Sequence, residues 1–144
     1  MIRAVLDANI LVSMFPASIG SLAEIVARWE RKQYQIVTST YILREVERAW
    51  LKPYWLARFL EAKALIAISR VRLYSEIAEL VLPITSIATH PEDDYILATA
   101  LSSGADLLVT GNRQLLQLEH VGRTIIVAPA AFLDYLDNEF PGQR

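Results

Sequence analysis

The sequence contains no cysteine. That removes disulfides, thiolate metal sites and cysteine nucleophiles from consideration. It also lacks an uninterrupted apolar run of the ~18 residues that a membrane-spanning helix needs, so no membrane association is expected. Its start reads directly as a strand, without the basic-then-apolar layout of a signal segment, which makes the cytoplasm the expected location. Glycine and proline are sparse, at 5 and 6 of 144 residues, and no linker, repeat or low-complexity tract divides the chain. An excess of positive charge is missing too: 14 Lys and Arg stand against 16 Asp and Glu, a net charge of −2. A broad basic surface of the kind that coats nucleic acid is therefore not supported. Any nucleic-acid function has to rest on local patches or bound cations.

What is present is apolar. Hydrophobic residues make up 53% of the chain, and the mean hydropathy is +0.30. The length suits one domain spanning residues 1–144. The high hydropathy points to a parallel sheet buried on both faces, a partner or oligomer surface, or both. Short apolar runs predict strands at Ile2–Leu6, 35–37, 107–110 and 125–127, with 81–84 as a weak strand or extended loop. Spacings of three and four predict helices over 21–32, 40–51, 53–68, 72–80, 92–103 and 129–136, with Gly104 ending the fifth. Alternating strands and helices specify the α/β class: a mainly parallel sheet covered on both faces. In such sheets ligands bind beyond the carboxyl ends of the strands. Asp7 follows the first strand, and Gly111 and Asn112 follow the strand "LLVT".

Three acids need explaining. In "HPEDDYILATAL" the apolar face is set by Ile96, Leu97, Ala100 and Leu101; at about 100° per residue, Asp93 projects into its middle. Asp94 turns roughly 90° away. Glu92 has a local role available, because Thr89-His90-Pro91-Glu92 fits a capping box. Glu45 lies at the edge of the stripe Ile42, Val46, Ala49, Trp50, whereas Glu47 points outward. With Asp7, these acids lean toward a core or a strand end, and no cluster of Lys or Arg is spaced to meet them. Inward carboxylates are costly unless paired, and neighbouring ones repel. A hard divalent cation held by oxygen, Mg²⁺ or Mn²⁺, resolves both problems. Its chemistry would be phosphodiester hydrolysis by activated water, with no side-chain nucleophile.

The segments "VLDANILVS", "STYILREVERAW", "HPEDDYILATAL" and "GADLLVTGNRQLL", in this order, resemble the PIN-domain ribonucleases, in particular toxins of VapC type. They span most of the chain. The resemblance places the catalytic positions at Asp7, Glu45, Asp93 and Asn112, with the first three as metal ligands. Asn9, Asp94 and Thr110 are the supporting positions. Asn112 departs from the aspartate commoner in the family's T-x-D motif, which removes one charge. The family implies an α/β/α sandwich of three layers, Mg²⁺ or Mn²⁺ as cofactor, RNA as substrate, a homodimer and a cognate antitoxin protein.

Plainer readings stand beside these. Asp7 and Asn9 suit a strand-end turn and helix cap; Asp93 suits the positive end of a helix; Asn112 suits a turn, and Asp106 a strand start. His90 reads as a loop or cap residue. Arg44, Arg48 and Lys52, spaced four apart, form either an RNA phosphate stripe or a solvated face. Trp50, Tyr54, Trp55 and Phe59 read as packing between two helices, with one or two left for a partner helix. Two other functions remain open: a PIN-like binding module without catalysis, and a phosphatase-like hydrolase on another α/β sheet. The latter would need a nucleophile motif that the sequence does not show.

Overall fold

In the computed structural model, residues 1–80 and 91–142 are described, the side chains of residues 91 and 92 excepted. The chain opens with β1 (Ile2–Leu6), whose Ala4, Val5 and Leu6 are fully buried. Helices α1 (Ala8–Met14) and α2 (Gly20–Glu30) lead to β2 (Tyr34–Thr38). Then come α3 (Thr40–Trp50), α4 (Pro53–Leu56), α5 (Glu61–Tyr74) and the short β3 (Glu76–Ile77). After α6 (Pro91–Ser103) the order is β4 (Leu107–Val109), α7 (Arg113–Gln117), β5 (His120–Val121), β6 (Thr124–Val127) and α8 (Pro129–Glu139).

The strands form one six-stranded sheet in the order β3-β2-β1-β4-β6-β5. Every pairing is parallel except β5 with β6. The expected α/β/α architecture is therefore observed, with one antiparallel strand at the edge. From β1 the chain moves outward through β2 to β3; it then returns to the other side of β1 as β4 and moves the opposite way. The direction reverses between β1 and β4, where the crevice for a ligand opens beyond the carboxyl ends. The register Leu6↔Val109 makes Asp7 and Thr110 the next residues out on these two strands.

The structure revises several expected elements. "ANILVSM" is a helix, α1, starting directly after Asp7; Ala8, Ile10, Leu11, Val12 and Met14 are all buried, and its polar side is only Asn9 and Ser13, too narrow over seven residues to announce a helical period. The helix expected over 53–68 is two, α4 and α5, and α5 runs on to Tyr74. Where a helix was expected over 72–80, Glu76 and Ile77 instead pair with Val37 and Thr38 as an edge strand. The short α7 and β5 were also unanticipated. The segment 81–84, the capping box at Thr89–Glu92 and His90 lie outside the described residues.

The high hydropathy has two visible sources, a buried sheet and a group of exposed apolar residues. β1, β2 and β4 are buried throughout their centres. At the same time Leu60, Leu65, Ile66, Leu73 and Tyr74 stand exposed on and just before α5. Trp50 and Phe59 pack together in the core, while Tyr54 is exposed with the Arg58 guanidinium over its ring. No helix among the described residues is long and apolar enough to cross a membrane.

Candidate active site

β1 delivers Asp7 to the switch point as a consequence of its own sequence. Five strand residues bury the chain, and the backbone N–H of Asp7 still completes the ladder by donating to the Val109 carbonyl (3.0 Å). Asp7 then occupies the N-cap position of α1, and its carbonyl accepts from Ile10 and Leu11. Its side chain makes no hydrogen bond of full capping geometry, although the Asn9 and Ala8 N–H groups lie near enough to favour its charged form. The carboxylate turns to β4, where Thr110 Oγ1 donates to Asp7 Oδ2 (2.6 Å).

Thr110 links the first acid to the loop that follows. Its hydroxyl oxygen accepts from the backbone N–H of Asn112 (3.0 Å). Asn112 caps α7, its Oδ1 accepting from the N–H groups of Gln114 (2.9 Å) and Leu115 (3.4 Å). That fixes the amide orientation and aims Nδ2 at the Asp93 carboxylate, with Oδ2 at 3.3 Å. Asp93 reaches this point from the first turn of α6, buried as the helix angles required. Asp7, Thr110, Asn112 and Asp93 thus form one hydrogen-bonded chain along the carboxyl edge.

Asp7 is 5% exposed. Burial pushes its pKa up, and the charge of Asp93 pushes it further in the same direction. The Thr110 hydroxyl pulls it back, helped by the nearby backbone N–H groups of Asn9 and Ala8. Asn9 itself has an exposed side chain. Its backbone N–H is among the groups that favour the charged form of Asp7.

The remaining expected residues distribute unevenly. Glu45 is half-buried on α3, and Asp94 half-buried on α6. Among the described residues no group of three or more His, Cys, Asp or Glu gathers as a ligand set. Glu47, expected to point outward, pairs with Arg72 of α5. Arg44 and Arg48 are exposed on α3, but Lys52 lies beyond its end, as the N-cap residue of α4, so the basic stripe stops at Arg48. Asp106 takes no part; it accepts from the Arg3 backbone N–H (2.8 Å) and from Arg123 (3.1 Å).

Two features escaped the sequence reading. Ser39 at the end of β2 is buried, its Oγ 2.9 Å from that of Thr99 on α6, which ties the start of α3 to the middle of α6. Tyr41 and Tyr95 stack beside this tie, with centroids 4.4 Å apart and planes 8° from parallel. The polar pair "ST" after a strand could have flagged Ser39; nothing local signals the tyrosine pair.

The oxygen donors of the site suit a hard divalent ion. Two carboxylates, one of them buried beside the other, favour a cation between them, and Mg²⁺ commonly binds through one or two carboxylates with water completing its shell. No curated protein matches the chain by sequence. Among solved structures the fold is similar to a chain of the crystal structure of VapBC2 from Rickettsia felis bound to a DNA fragment from their promoter. The TM-score is 0.58 at 16% identity, over 88% of this chain and 98% of that one. The family model described as PIN domain matches residues 3–114, most of the chain and every segment that carries the site, and the chain belongs to the PIN domain family.

Proposed function

We propose that the protein is a cytoplasmic, metal-dependent endoribonuclease and the toxin of a toxin–antitoxin pair. The observation that carries this reading is the buried Asp7 carboxylate set beside Asp93 at the switch point. The forces on Asp7 are burial, the Thr110 hydroxyl, the Asp93 charge and two backbone N–H groups, a setting in which a bound divalent cation would offset the raised cost of its charge. Asp7 and Asp93 hold Mg²⁺ or Mn²⁺, with Glu45 contributing through water from the α3 side. When bound, the cation activates water as nucleophile and offsets charge on the phosphoryl oxygens. Thr110 orients Asp7, Asn112 orients Asp93, and Arg44 and Arg48 meet flanking phosphates.

The partner assignments rest on separate features. The VapBC2 neighbour is a complex, and the exposed apolar residues of α5 supply a surface that a protein partner, an antitoxin or a second copy, would cover. The test of the central claim is cleavage of single-stranded RNA with Mg²⁺ or Mn²⁺. Wild type cleaves, a chelator stops it, and Asp7→Ala and Asp93→Ala are inactive. Metal-dependent cleavage that survives both substitutions overturns the assignment.

A second reading draws on the lack of a three-acid group among the described residues and on the amide at position 112. It is a PIN fold acting as a binding module. Saturable Mn²⁺ binding by wild type that is lost in Asp93→Ala decides against it.

A further inference from the structure

Tyr95, stacked on Tyr41, lies two residues from Asp93 on α6 and takes no part in holding the acid pair. Tyr95 follows Asp93 by two residues on α6, so the two side chains leave the helix in nearly opposite directions, about 200° apart. Asp93 reaches toward β4 and Asn112, and Tyr95 toward α3 and Tyr41. Tyr41 covers one face of the Tyr95 ring, yet Tyr95 remains 39% exposed. What the stack leaves for a ligand is the opposite face and the ring edge. A tyrosine this exposed, on the helix that carries Asp93, is not explained by core packing.

The support beneath the pair is rigid. Thr99 Oγ1 lies 2.7 Å from the Tyr95 carbonyl and 2.9 Å from Ser39 Oγ. With its single proton given to the carbonyl, Thr99 accepts from the Ser39 hydroxyl, which in turn accepts from the Ile42 N–H (3.4 Å). The tie joins the start of α3 to the α6 turn that follows Tyr95, and so holds the two rings' helices together. Along α3, Arg44 and Arg48 follow Tyr41 at three and seven residues, on the same side of the helix and exposed. An open aromatic face with cations leading away from it is the arrangement that binds single-stranded nucleic acid, bases on the ring and phosphates on the cations.

We infer that Tyr95, backed by Tyr41, is a stacking platform for one nucleobase of a single-stranded RNA adjacent to the scissile phosphate. The platform deepens the proposed nuclease reading by specifying an unpaired substrate, and it rests on that reading. It is sequence-tolerant, because every base offers a π face. Tyr95 is a positioning residue for substrate and does not act on the reacting atoms.

The experiment uses short single-stranded RNA carrying 2-aminopurine, titrated with protein in chelator so that nothing is cleaved. Wild type quenches the fluorophore on binding. Tyr95→Phe matches wild type, whereas Tyr95→Leu loses the quenching and binds about 5- to 150-fold more weakly. Replacing the stacked nucleotide with an abasic one weakens wild type by a similar factor but leaves Tyr95→Leu unaffected. A loss of packing alone would not produce that coupling. Equal affinity and equal abasic sensitivity in wild type and Tyr95→Leu overturn the platform. Cleavage in Mg²⁺ or Mn²⁺ is scored separately. Cleavage without this coupling overturns the platform and leaves the nuclease reading; RNA binding with the coupling but no cleavage does the reverse; neither binding nor cleavage overturns both.

Discussion

The two ends of the sheet handle carboxylates in opposite ways. Away from the switch point, acids meet arginines. The Arg3 guanidinium holds both oxygens of Glu76 and also donates to the Ser103 and Gly104 carbonyls. Arg123 reaches Asp106, and the buried Arg28 is held by Glu24, Gln33 and Asp137. These charges are neutralised within the chain, and their role is complete once the chain folds. At the carboxyl edge the buried Asp7 faces a hydroxyl and a second carboxylate. The contrast sets acids that the fold pairs with arginine against the two that the proposed site would use.

The sharpest way to break the contrast is to remove one acid from each end. Asp93→Ala should cut RNA cleavage on the order of 10²–10³-fold or more while leaving thermal unfolding in chelator unchanged or raised. Asp137→Ala should do the reverse. It strips a partner from a guanidinium that is 3% exposed and should cost about 1–3 kcal/mol in denaturant unfolding, with cleavage per folded molecule intact. A large stability loss in Asp93→Ala would return that residue to the structural group.

Thr110 tests the link between the acids. Thr110→Val keeps the shape but removes the donor to Asp7 and the acceptor for the Asn112 N–H. A fall of about 10- to 100-fold in activity or Mn²⁺ affinity is expected, as for groups that orient metal ligands, with Thr110→Ser close to wild type. Equal activity in the Val variant would detach Thr110 from the site.

The contrast was partly legible in the sequence. Asp7 and Asp93 stood out because a strand end and a helix period each fix where one side chain goes. Glu45 was read from the same kind of geometry, yet a place at the edge of a helical stripe says which way a residue leans and not how far the helix stands from the site. Lys52 shows a related limit: a four-residue spacing holds only while the helix lasts, and α3 stops at Trp50. β3 and β5 are two residues each and have no period to detect. The Arg3–Glu76 bond and the Tyr41–Tyr95 stack join segments far apart in the chain, so only the topology brings them together. Asn112 was seen as a substitution that lowers charge. Its use as both α7 cap and donor to Asp93 could not be seen, because both depend on where α6 lies.

That double use gives a smaller, informative prediction. Asn112→Asp retains the cap oxygen but replaces the donor to Asp93 with a third negative charge. In chelator the variant should unfold at a lower temperature than wild type, because like charges are brought together. With Mn²⁺ the order should reverse, and metal affinity should rise several-fold. An unchanged Mn²⁺ titration would mean that position 112 does not face the cation.

The smallest effect is a slope with pH in the metal-free protein. The folded-state pKa of Asp7 is raised, chiefly by burial, so the folded chain binds its proton more tightly than the unfolded chain does. Stability then falls as pH rises from the ordinary carboxylate range through the raised pKa of Asp7, and the cost is complete above it. Asp7→Asn cannot ionise and escapes that cost while keeping an oxygen to accept from Thr110. The stability of Asp7→Asn relative to wild type, measured by urea unfolding in chelator, should therefore be greatest at neutral pH and shrink on acidification. At Asp137 the same change breaks the ion pair with the buried Arg28, so Asp137→Asn should be less stable than wild type at neutral pH. The two ends of the sheet would then be told apart by the opposite signs of their response to the same change, carboxylate to amide.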